Sequence, residues 1–179
     1  NQLNYKNMTS SELKEFIDTH LYHELRYLLC ATASWNVAKE SPRSVPAHFV
    51  VYTLDSALLH ARSLFEFFTH TNPTRKKNLV TWKDFSLEEG INSELYKEWI
   101  EPLHHHVMHL ENRLDVSNEI NGVHLKNMVT NFSAEIVSIW RMFSSKIDKD
   151  LKKDMDNVLI KSIREAEGIY PQIKEALEV

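Results

Sequence analysis

A chain of 179 residues and 21.0 kDa is long enough to bury a core without disulfides or metal, and three glycines (Gly90, Gly122, Gly168) with five prolines are too few for the turns of a many-stranded β architecture. The formal charge of −4 advertises neither nucleic acid nor an anionic membrane, and the single cysteine, Cys30, excludes a disulfide framework and fits a reducing compartment. No apolar run nears the roughly 18 residues of a membrane helix, and the polar opening NQLNYKNMTSSELKE is unlike a signal peptide, so one all-α, cytoplasmic domain over 1–179 is expected.

Thr9 and Glu12 have the spacing of a capping box, and Leu13, Ile17, Leu28, Ala31 and Trp35 then fall along one face, predicting a first helix from about Ser10 to Ala38. KESPRSVPA breaks it. A second helix capped at Ser44 is expected to run to about His70, with Val50, Val51, Leu54, Leu58, Ala61, Phe65 and Phe68 as its apolar face. TNPTRKKNLVTWKDF reads as the longest loop, and Ser86 with Glu89 as the cap of one short turn. From Ser93 to Leu114 the set Tyr96, Trp99, Ile100, Leu103, Val107, Leu110 and Leu114 is helical again, with Pro102 predicting two collinear segments. LDVSNEING is a break. Leu125, Met128, Val129, Phe132, Ile136, Ile139, Trp140 and Phe143 define another long helix. The last, from about Asp148 to Gly168, carries Leu151, Met155, Val158, Leu159 and Ala166, and Pro171 stops it. The expectation is a single bundle of four to five mostly antiparallel helices.

Much chemistry is excluded. The isolated glycines leave no G-x-G-x-x-G, no G-x-x-x-x-G-K-[ST] and no G-x-S-x-G, which removes nucleotide-fold enzymes and serine hydrolases and leaves no expected cofactor. His23-Glu24 begins an H-E-x-x-H, but Tyr27 stands where the second zinc ligand belongs. Glu101-Pro-Leu-His104 is a single Glu-x-x-His, whereas a di-iron bundle needs two, with further glutamates. Cys30 reads as a small buried apolar group.

Polar residues at core positions are more informative. At 100° per residue His20 and Glu24 fall in the middle of the first helix's apolar face, and a carboxylate there needs a partner, for which Arg62 is the expected one. His48, Asp55, Arg62 and Glu66 line one flank of the second helix's apolar face, able to reach a neighbouring helix. A structural Glu24–Arg62 ion pair and a polar site between helices are both open readings. In HHHVMH, His105 and His109 are one turn apart and suit a metal only on an outward face, whereas His106, His109 and Arg113 form a stripe at the core edge. His109 and Arg113 facing the Arg62 flank would bring an imidazole and two guanidinium groups together, suited to phosphate binding or proton transfer.

LLHARSLFEFF (Leu58 to Phe68), followed by LHHHVMHLENRL (Leu103 to Leu114), resembles small bacterial helical proteins with an HAR-x-L-x-E-F helix and a later His-Leu-x-x-Arg-like segment, which are similar to the HEPN superfamily. The resemblance covers about a third of the chain. It implies a bundle, often a homodimer, tied to RNA binding or metal-independent RNA cleavage and to toxin or phage-defence systems. The superfamily's cleavage motif is Arg, four to six residues, then His, a pair that meets at a dimer cleft to activate the ribose hydroxyl and stabilise the phosphorane. Arg43-Ser-Val-Pro-Ala-His48 matches that spacing, a match expected by chance in a chain this rich in His. Arg62 to His70 is one residue too long, and His109 to Arg113 has the reverse order.

Three functions are open on this reading. The first is a HEPN-like homodimer that binds RNA or nucleotide, with Arg62, His109 and Arg113 as phosphate and proton-transfer groups and Glu24, His20, Asp55, His48 and His106 as binding residues. The second is a DinB-type metal bundle using a His pair of HHHVMH with His20, Glu24 or His60. The third is an interaction module in which buried ions only specify packing.

Overall fold

The computed structural model describes residues 8–43, 45–69, 80–108 and 119–177, and of 105–108 the backbone only. Among the described residues the fold is all-α, with one two-stranded hairpin. No helix among them is long and apolar enough to cross a membrane.

Helices α1 (Ser10–Phe16) and α2 (Tyr22–Glu40) are joined by a π-helical segment, Ile17–Leu21. Thr9 closes the predicted capping box: the Glu12 N–H donates to Thr9 Oγ1 at 3.2 Å and the Thr9 N–H to the Glu12 carboxylate at 2.7 Å. Leu13, Ile17, Leu28, Ala31 and Trp35 are all buried. The π segment alters the register, however. A wider turn rotates the residues beyond it relative to a 100° wheel, so His20 is exposed and Glu24 only half-buried, not central to the buried face.

Helix α3 (Ala47–Thr69) begins where the Pro46 carbonyl accepts from Phe49 and Val50 at 2.9 and 3.3 Å; Ser44 lies outside the described residues. Leu58, Ala61, Phe65 and Phe68 are buried and Val50 and Leu54 pack at the core's edge. Val51 is a correction, 48% exposed. Residues 47–49, 51 and 52 are all exposed, so the bundle does not cover this end of α3 on the flank that later buries Leu58.

The expected long loop falls partly outside the described residues, at 70–79. Its end is a 3₁₀ turn, Trp82–Phe85, capped by Thr81, whose N–H donates to Asp84 Oδ2 at 2.9 Å. Ser86 does not start a helical turn with Glu89. It ends the preceding one in the left-handed region, with φ 63°. Next, Ile91 N–H donates to the Phe68 carbonyl at 2.8 Å, which presses Gly90 against the end of α3. A Cβ at Gly90 would stand 2.8 Å from that carbonyl oxygen and 3.0 Å from Trp82 Nε1. Gly90→Ala is therefore expected to lower stability by about 2 kcal/mol, measured by urea denaturation; an unchanged midpoint would mean that the strap yields freely.

Helix α4 (Glu94–Met108) runs through Pro102 as one element, not as two collinear segments. The proline removes one intrahelical donor, and the burial of Pro102 and Leu103 offsets that loss. The expected end of this helix at Leu114 lies outside the described residues, as do 109–118 as a whole. A hairpin comes next, β1 (Glu119–Ile120) and β2 (Val123–His124), turning at Asn121 and Gly122 with φ 51° and 78°. Both central residues at positive φ are what the Asn-Gly pair favours. A 3₁₀ turn, Leu125–Met128, leads into α5 (Val129–Lys146). Asp148 then caps α6 (Lys149–Glu167) by accepting from the Asp150 N–H, and a short α7 (Ile173–Leu177) succeeds Pro171.

Contacts along the rods give their directions. Phe16 meets Phe67 and Glu24 meets His60, so α2 runs antiparallel to α3; Thr32 meets Ser133 and Asn36 meets Thr130, so α2 and α5 are antiparallel too. Helices α3 and α5 run parallel, Phe65 on Phe132 and Phe68 on Trp140, with α4 intervening in the chain. The core is aromatic where α3 and α5 meet: Phe143 lies 5.1 Å from Phe68 and 5.2 Å from Phe85 between ring centres. A buried hydroxyl pair, Thr32 with Ser133 at 2.8 Å, joins α2 to α5.

Candidate functional site

Helix α3 presents polar groups to two neighbours, one on each side. Toward α2, His60 Nδ1 lies 2.8 Å from Glu24 Oε2, with side-chain exposures of 12% and 30%. The rings of Tyr27 and His23 stand 5.4 and 5.8 Å from that imidazole and shield it. The expected Glu24–Arg62 pair is thus corrected: His60 holds Glu24. Positions 60 and 62 point about 160° apart on an ideal helix, so they serve different neighbours.

Toward α4, Arg62 Nε donates to Glu66 Oε1 at 2.9 Å, one turn along the same helix. His104 Nε2 reaches that same oxygen at 3.2 Å. An arginine and an imidazole from adjacent helices therefore converge on one carboxylate. Among the described residues only Nε of Arg62 is engaged. Tyr96 of α4 stacks on Phe65 at 4.8 Å beside this cluster. Burial, and secondly the negative charge of Glu66, push its phenol up to about 12, against the opposing effect of Arg62.

The remaining expected site residues are not gathered here. His48 is exposed and stands edge-on to Tyr52 at the uncovered start of α3. Asp55 is half-buried two turns before Arg62. His20 packs on Phe16, ring centres 5.3 Å apart. His109 and Arg113 lie outside the described residues, as does the side chain of His106. Arg43 and His48, which match the cleavage spacing, sit exposed on either side of the α3 start. Sequence reasoning names His60 and His104 only among candidate metal ligands, not as the partners of Glu24 and Glu66. His104 carried a signal, because it opens the His run, one turn C-terminal to Pro102's neighbour Glu101 and level with Glu66.

Between the two clusters lies a pocket of 570 Å³, lined by Phe16, His20, Leu21, Glu24, Ser63, Leu64, Glu66, Phe67, Val80 and Thr81. The π segment forms one wall, and such segments recur at functional sites. Among the described residues no group of three or more His, Cys, Asp or Glu side chains is placed to hold a metal ion. Cys30 is half-buried, and that burial, followed by the charge of Glu165, pushes its thiol up, away from a reactive thiolate.

Comparison with protein-family models, curated proteins and solved structures finds no match for this chain.

Proposed function

We propose that the chain is a HEPN-like bundle that binds RNA through Arg62 and His104, in a reducing, cytoplasmic setting that suits its lone thiol. The observation that carries this reading is the convergence of Arg62 and His104 on Glu66. A guanidinium whose terminal nitrogens have no partner among the described residues suits bidentate binding of a phosphodiester, and a nearby imidazole adds a second donor or moves a proton. Glu66 orients both groups and removes the repulsion between them. The overall charge of −4 confines any phosphate contact to such local groups, so affinity should rest on few contacts and fall moderately with salt.

The start of α3 supports the dimeric part of the reading. Phe49, Val51, Tyr52 and Leu59 are 44–65% exposed on this helix, an apolar surface that a second copy would cover by two-fold pairing.

Fluorescence anisotropy with a labelled single-stranded RNA, alongside light scattering, tests both parts. Arg62→Ala and His104→Ala are each expected to weaken binding by about tenfold, the effect of one charge-assisted contact. Unchanged affinity in both variants overturns the assignment, and a monomer mass at the binding concentration removes the dimer.

A further inference from the structure

We propose that the pocket between the π segment, the start of α2 and the middle of α3 binds an organic ammonium, a primary amine carried on an apolar body. The site is distinct from the RNA contact, although Glu66 borders both.

The walls come first. Phe16, Leu21, Leu64, Phe67 and Val80 supply an apolar lining, and Phe16 and Phe67 face each other with ring centres 5.9 Å apart. At 570 Å³ the space matches pockets that enclose small organic ligands. An apolar body of one or two rings fits such walls, and an aromatic face also attracts a cation placed over it.

The polar groups select the charge. Among the described residues that line the pocket there is no lysine or arginine, and the acidic ones are Glu24 and Glu66. They are not equivalent. Glu66 is neutralised by Arg62, whose Nε holds its Oε1. Among the described residues Glu24 has one contact, at Oε2 with the His60 ring, a group that carries charge only when protonated, whereas the guanidinium beside Glu66 is always charged. Oε1 of Glu24 has no partner among the described residues. A carboxylate 30% exposed at the edge of an apolar chamber gains from a cation placed beside it. An ammonium group offers three donors: one for Glu24 and the others for the lining hydroxyls of Ser63 or Thr81 or for water at the mouth. An anion would meet the carboxylate of Glu24, and a neutral alcohol would bring no charge to pair with it.

The test uses three probes of one shape: phenethylammonium, phenethyl alcohol and phenylacetate. Titrated into the intact chain and followed by backbone amide NMR, phenethylammonium is expected to shift Phe16, Ser63, Leu64 and Phe67 and to bind about tenfold more tightly than either analogue. Glu24→Gln should remove that preference while leaving weak binding of the ring. Ser63→Phe, at a half-buried position, should fill the chamber and abolish the shifts with the helical circular dichroism unchanged. Equal binding of the three probes, no binding of any, or binding that survives Ser63→Phe overturns the proposal. Such a result leaves the RNA reading standing if Arg62→Ala still weakens RNA binding, so the two fail separately.

Discussion

Trp140→Ala is expected to lower the stability of the fold by about 3–5 kcal/mol, a third or more of what an ordinary domain possesses. The indole is fully buried on α5 and ties three helices together. It stands edge-on to Phe68 of α3 at 5.8 Å, and its Nε1–H donates to the Met155 carbonyl of α6 at 3.1 Å. Truncation removes the largest fully buried side chain of the core and leaves a void beside Phe68 and Phe143. Those rings are themselves wedged against Phe67 and Phe85 and have no shorter rotamer with which to fill it. Trp140→Phe should recover most of the loss, because the Met155 carbonyl stays within its own helix. Urea denaturation followed by circular dichroism measures both. A midpoint for Trp140→Ala within about 1 kcal/mol of the parent would show that this junction is not the centre of the core.

Legibility from the residues differs between core and site. The expected helix from Leu125 begins instead as a 3₁₀ turn and is α-helical only from Val129, yet each apolar position assigned from Val129 to Phe143 is buried, because an unbroken helix keeps the phase of its pattern, and Leu125 and Met128 still pack on the core. The same arithmetic misleads for His20, which lies inside a π segment whose wider turn no apolar spacing reveals. The Asn121-Gly122 hairpin is readable from its turn dipeptide, yet two-residue strands are too short to show alternation. Partner choice is the least accessible quantity. A wheel ranks the faces of α3 but does not say which neighbour covers each, so it matches Arg62 with Glu24 although α2 packs on the His60 side and α4 on the Arg62 side. The flank of Arg62 and Glu66 does reach another helix, as its place at the core's edge predicts. Its correspondent, His104, opens a run of histidines in which the edge stripe favours the later members.

That cluster should also make the fold sensitive to alkali. Tyr96 is buried against Phe65, and removal of its phenol from water, reinforced by the carboxylate of Glu66, raises its ionisation to about 12 from an unfolded value near 10. Between those limits the folded state keeps a proton that the unfolded state has lost. Stability is therefore fully present below about pH 10 and falls as the pH rises toward 12, by roughly 3 kcal/mol in total for a shift of this size. Tyr96→Phe has no proton to lose. Near neutral pH the variant should match the parent closely. Above pH 10 the parent should weaken relative to it, the gap widening steadily to pH 12. Urea midpoints of the two proteins taken from pH 8 to 12 give the comparison. Charge removal then separates the neighbours: Glu66→Gln should bring the phenol's titration down, since one of the two effects raising it is gone. Arg62→Ala should push it further up, since the opposing cation is lost. A phenol that titrates near 10 in the native protein, read from tyrosinate absorbance as the difference from Tyr96→Phe, would mean that this side chain is open to water and that the α3–α4 junction is looser than its geometry implies.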